Sequence, residues 1–269
     1  MDMRLKSTLI KSLLAALLLV AAAAPARAQF LDGASGLMLA PSADMHPSGT
    51  FMITNTWLHP EVLPPFPWGY HTFGYSFNIT FWSRFEFAYI LTLINGSKMA
   101  NPPSHWWAVM RNQDRHFYAK LLLLKENEFG LNWMPALAVG VSDPVTGAVS
   151  GEYVESLTAI DNQNGYFNRY FATLTKHFDT KIGEIGVHAG YQYSFRTDRS
   201  LTGPVGGVNW RPKWVQNDWV KLNLMAEYDS RTFNVGLVTT IYRDHFDLLV
   251  LLQDMKYFSF GVRYKLVLF

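Results

Sequence analysis

Cysteine is absent from this chain of 269 residues. That absence excludes disulfide staples, a thiol nucleophile, cysteine-ligated zinc and lipid attachment at a lipobox. Long apolar runs are scarce as well: beyond the N-terminal region no stretch approaches the ~18 uncharged apolar residues of a membrane-spanning helix. A helical membrane protein is thereby disfavoured. Catalytic and ligand motifs are missing in turn. Histidines stand at 46, 59, 71, 105, 116, 177, 188 and 245 with no H-x-x-x-H or H-x-H pair, so no metal site and no cofactor are expected. No G-x-S-x-G elbow occurs, and Gly203-Pro204-Val205-Gly206-Gly207 lacks the Lys and Ser/Thr of a phosphate loop; it reads as a turn into a strand. A formal net charge of +2 singles out no partner, and no nucleic-acid ligand is expected.

What is present begins at the N-terminus. Arg4, Lys6 and Lys11 precede an uncharged run from Ser12 to Ala24, followed by Pro25 and the small-residue triplet Ala26-Arg27-Ala28. This is the pattern of a secretory signal peptide over residues 1–28, its apolar run too short to span a bilayer as a helix. Residues 29–269 then read as one domain, a length that all-β barrels reach as a single unit.

Aromatics make up 15% and apolar residues 49%, yet the mean hydropathy is only +0.02. That combination results when every strand alternates a lipid-facing apolar residue with a polar one facing a lumen. The alternation is visible along the chain. Phe73, Tyr75, Phe77, Ile79 and Phe81 face away from Gly74, Ser76, Asn78 and Thr80, and after a tight link at Trp82-Ser83 the pattern resumes with Phe85, Phe87, Tyr89 and Leu91. It recurs at 136–141, 184–193, 220–228, 233–237 and 258–268, with weaker runs near 50–58, 116–124, 153–159, 166–176, 205–211 and 246–253.

Two runs, Leu121 to Leu124 and Leu248 to Leu252, are apolar on both faces. They suit strands packed against an inner plug, or short helical pieces. The proline-rich stretch 60–68 and the stretch 95–104 read as loops, with further long loops near 143–152 and 196–204. Trp57, Trp68, Tyr70, Trp106, Trp107, Trp210, Trp214 and Trp219 cluster beside loops, where a barrel places its interfacial aromatic girdles. Phe269 ends the chain as an aromatic out of phase with the apolar even-numbered face of the final strand. The expected architecture is all-β: an antiparallel transmembrane barrel of about 12 strands.

Three stretches resemble the YjbH-like family: Gly36-Leu37-Met38-Leu39-Ala40-Pro41-Ser42-Ala43-Asp44-Met45; Pro135 to Asp143 with Gly151-Glu152-Tyr153-Val154; and Val205-Gly206-Gly207-Val208 with Ala226-Glu227-Tyr228-Asp229-Ser230. The resemblance implies an outer-membrane barrel associated with exopolysaccharide production, and brings no catalytic residues with it.

By strand parity the inward-facing ionisable residues are Arg84, Glu86, Glu184, His188, Lys221, Glu227, Arg263 and Lys265. Such a set either pairs internally to stiffen a barrel or lines a polar path for a glycan. The expected function is a non-enzymatic component of exopolysaccharide production or export, acting as conduit, docking site or structural partner. The partners expected are outer-membrane lipid, exopolysaccharide and other polysaccharide-export proteins, and the location is the outer membrane of a Gram-negative bacterium. A barrel enzyme acting on lipid or glycan, and a soluble periplasmic β-sandwich that binds carbohydrate, are the alternatives.

Overall fold

A computed structural model of the protein describes residues 31–61, 71–95, 110–144, 167–195 and 201–268. The expected signal peptide, the weak strand at 153–159, the tryptophans at 68, 106 and 107, Tyr70 and Phe269 lie outside these residues.

Twelve antiparallel strands follow one another around a closed barrel. They are β1 (Thr50–Leu58), β2 (Thr72–Phe81), β3 (Phe85–Asn95), β4 (Met110–Leu124), β5 (Ala136–Ser142), β6 (Arg169–Thr180), β7 (Gly183–Tyr193), β8 (Gly203–Pro212), β9 (Val220–Tyr228), β10 (Phe233–Ile241), β11 (Phe246–Gln253) and β12 (Tyr257–Val267). The barrel shuts where β1 pairs with β12, from Thr50 opposite Val267 to Trp57 opposite Phe260. Every strand is hydrogen-bonded to a neighbour on each side, so the described ring has no free edge strand, the condition that an apolar bilayer imposes on a sheet.

The rim that holds the start of β1 and the end of β12, here the terminal rim, has short connections. The opposite rim, the loop rim, carries the longer ones. At the terminal rim, β2 turns into β3 through Trp82 and Ser83, both at positive φ, with the Arg84 N–H donating to the Phe81 carbonyl at 3.0 Å. Positive φ at both central residues matches the twist of a tight hairpin.

The period-two alternation sorts side chains as the sequence implies. Phe77, Phe117, Val187, Leu224, Phe260 and Val262 are exposed on the outer wall, whereas Thr54, Asn78, Glu86, Asn223, Glu227 and Arg263 are buried within. An apolar outer surface around a polar interior is the reverse of a soluble sandwich and the arrangement of a transmembrane barrel. Of the tryptophans expected at the interfaces, Trp214 and Trp219 are exposed in the β8–β9 connection at the terminal rim, joined there by Trp82, Phe129 and Trp133 from neighbouring turns.

Both doubly apolar runs are strands. Leu122 of β4 and Leu249 and Leu251 of β11 point inward and are buried. What they pack against is the chain itself: residues 32–46 fold inside the barrel, buried throughout.

Candidate functional site

The lumen is therefore a filled one, and its wall is best described through what holds the internal segment. Gly36 and Pro41 form an isolated bridge, which pinches residues 37–40 into a tight loop. Leu37, Met38 and Leu39 are almost wholly inaccessible, packed with Leu58, Val205, Met225, Val238, Leu249 and Leu251. Each such side chain contributes roughly 1.5–3 kcal/mol on burial. Gly236 makes the space: a Cβ there would stand 2.1 Å from Met38 Cγ.

Tight turns leave backbone N–H groups without partners, and Glu227 of β9 supplies them. Its carboxylate accepts from Met38 N (2.9 Å), Leu39 N (2.7 Å) and Ala40 N (3.2 Å). Consecutive N–H groups converging on one anion form a nest, in which a negative charge is favoured. Glycine at 207, opposite Glu227 in β8, gives that side chain room, since a Cβ there would meet the Glu227 Cα at 2.8 Å.

Lower in the barrel, Lys120 of β4 gathers the two arms of the loop. Its ammonium donates to Ser35 O (2.6 Å) and Asp44 O (2.6 Å) and lies 3.0 Å from the Glu86 carboxylate, to which the Ser35 hydroxyl also donates. Both charges are fully buried, and they balance each other. Near the loop rim Asp32 pairs with Arg169 of β6 and accepts from the Ser142 hydroxyl at 2.8 Å, and Arg169 also donates to Leu39 O at 2.8 Å.

A third cluster lies nearer the terminal rim. His177 of β6 stands opposite Gly186 of β7, with His188 two residues further on the same face. Asp44 of the internal segment approaches, its Oδ1 3.4 Å from His177 Nε2. Glu126, in the β4–β5 connection, accepts from His177 N at 3.0 Å and meets His177 Nδ1 at 2.8 Å. Burial raises the Glu126 carboxyl, but its bonds from His177 and Lys176 outweigh that and leave it below its ordinary value.

The eight residues singled out by parity fall into place as follows. Glu86 and Glu227 hold the internal segment directly. Arg263 and Lys265 of β12 lie beside Asp247 of β11, at 3.8 and 2.7 Å, and Arg263 donates to Thr54 at 3.0 Å. His188 is buried between Thr175 and Asn209. Glu184 pairs with Arg211, and Lys221 with Asp244 at 2.6 Å. Arg84 is the correction: it lies in the β2–β3 turn, part-exposed at the rim, where it pairs with Glu128 of the β4–β5 connection at 2.7 Å rather than facing the lumen. Parity read through the preceding residue fails there because the strand begins only at Phe85.

Sequence reasoning passed over Lys120, Arg169 and Asp247, which sit in the runs whose alternation is weak, and Asp32 and Asp44, which belong to no strand. The signal for the internal segment was the pair of doubly apolar runs.

The described parts of the three stretches of family resemblance also meet in space; Gly151 to Val154 lie outside the described residues. Residues 36–45 form the internal segment, Ala136 to Asp143 and Val205 line it, and Glu227 grips its tip. A family model described as "Exopolysaccharide biosynthesis protein YbjH" matches residues 29–268. The chain belongs to this YjbH family. Comparison with curated protein sequences gave no match. Among solved structures, the chain is similar to a KdgM porin, with a TM-score of 0.45 and 10% identity over 80% of this chain and 98% of that one. Among the described residues, those that mark the resemblance include the internal segment and side chains of the wall packed against it.

Proposed function

We propose that the protein is a non-enzymatic component of exopolysaccharide production in the outer membrane of a Gram-negative bacterium, held closed by its own internal segment and serving as a docking or structural partner of the export machinery. The observation that carries this reading is the capture of the 38–40 loop by Glu227 inside a lumen occupied by the internal segment, its apolar cluster and paired charges. Charges committed to Ser35, Asp44, Leu39 and one another give a glycan little to bind in this state, and they stiffen the barrel. The partners that fit are lipid around the apolar belt and, at the rims, exopolysaccharide and other export proteins; nucleic acid has no place in the reading.

Two measurements test it. Membrane fractionation is expected to recover the protein in the outer membrane, with gel migration that shifts on boiling. Removal of the protein from its host is expected to reduce surface polysaccharide, restored by the wild-type chain; undiminished polysaccharide contradicts the role. Glu227→Ala and Arg263→Ala bear on a lumen path: secretion left intact in both speaks against passage of the polymer through this barrel.

A further inference from the structure

We propose that Asp44, His177 and His188 form a binding site for one divalent transition-metal ion of the zinc class, which clamps the internal segment to strands β6 and β7. The proposal stands apart from the role in polysaccharide production and does not depend on it.

The ligand atoms of the three residues lie within 4.8 Å of one another. They come from three separate pieces of chain, and Gly186 leaves the space in which they converge: a Cβ there would stand 2.9 Å from His177 Cδ2 and 3.0 Å from His188 Nε2. The hydrogen bonding of His177 leaves its other ring nitrogen facing the site. Its Nδ1 lies 2.8 Å from the Glu126 carboxylate, and its Nε2 faces the Asp44 carboxylate at 3.4 Å and the Glu184 carboxylate at 4.0 Å.

At 3.4 Å the Asp44 and His177 ligand atoms are not in direct hydrogen bond and leave room for an ion between them. A charge-assisted hydrogen bond would draw the atoms to ~2.7–2.9 Å. Two ligands on a tetrahedral zinc with bonds of ~2.0–2.1 Å stand roughly 3.4 Å apart, the separation already in place. His188 needs a closing of up to about 1.4 Å to join them. On binding, the ring proton shifts from Nε2, where Asn209 Oδ1 accepts it, to Nδ1, which then donates to Thr175 Oγ1, now 2.9 Å away, and Nε2 takes the metal. Glu126 behind His177 supplies the carboxylate–histidine pairing that orients metal-bound imidazoles. Two imidazoles and a carboxylate suit zinc-class ions and not magnesium or calcium, which prefer oxygen alone. His177 is part-exposed and Glu184 more so, which gives an ion a way in from the terminal rim.

The experiment is calorimetric titration of Zn2+ into the full-length, detergent-folded protein without a histidine tag, its folding verified by the heat-dependent gel shift. One Zn2+ per chain is expected, with Mg2+ giving no saturable heat. His177→Ala and Asp44→Asn are expected to abolish binding, and Glu126→Gln to weaken it by roughly 10–100-fold. Zn2+ is further expected to slow proteolysis of residues 31–48 in the wild type and to leave Asp44→Asn unaffected. Asp44→Asn and Glu126→Gln are near-isosteric and keep the test open should His177→Ala fail to fold. Absence of saturable Zn2+ binding overturns the proposal, as does binding of equal affinity in the wild type and Asp44→Asn.

Discussion

At the scale of single residues, the energetics concentrate where a buried charge meets orphaned backbone. Glu227→Ala strands three buried N–H groups, so the internal segment should lose on the order of 3 kcal/mol of its hold on the wall. Hydrogen exchange at Met38, Leu39 and Ala40 measures this, with acceleration expected there and little change in the strands. A pH dependence follows from Glu126. Its folded value is depressed, so the stabilisation it lends to the contact with His177 is fully present above the ordinary glutamate value of about 4.5 and is lost as pH falls below that through the depressed value. Carboxyl NMR titration, with the His177 amide as reporter, should show loosening only on that acid side; loosening above pH 6 would contradict it.

At the scale of elements, the internal segment and the wall are separable. The wall is built from local hairpins and closes through its own ladders, whereas the segment contributes no strand to them. Gly236→Leu should therefore drive Met38 out and expose residues 31–48 to protease, while the heat-dependent gel shift of the barrel persists. This division also explains how legible the protein was. Strands with one apolar and one polar face, such as β2, β7, β9 and β12, were plain in the sequence because lipid and lumen impose opposite demands on alternate residues. The doubly apolar Leu121–Leu124 and Leu248–Leu252 left strand and helix open, since the plug rather than water lay on their inner side. The internal segment itself has no periodicity to read: its conformation is set by partners far away in the chain, 51 residues for Ser35 and Glu86 and 188 for Leu39 and Glu227. The grouping of Asp44, His177 and His188 was hidden for the same reason, for it depends on the His177–Gly186 register and on the path of the segment.

At the scale of the whole molecule, the outer belt commits the protein to an apolar surrounding. Val262, midway along β12 and exposed on the outer wall, is a position where arginine should cost about 2–4 kcal/mol, measurable by denaturant unfolding from lipid vesicles. A cost near zero would mean that the belt is not in lipid. A transmembrane barrel shut by its own internal segment has a definite signature in planar lipid bilayers, read as conductance. The full-length protein should insert without sustained current, and a variant lacking residues 31–46 that keeps its heat-dependent gel shift should open steady channels. Equal conductance in the two proteins, or silence from the folded deletion variant, would contradict the account.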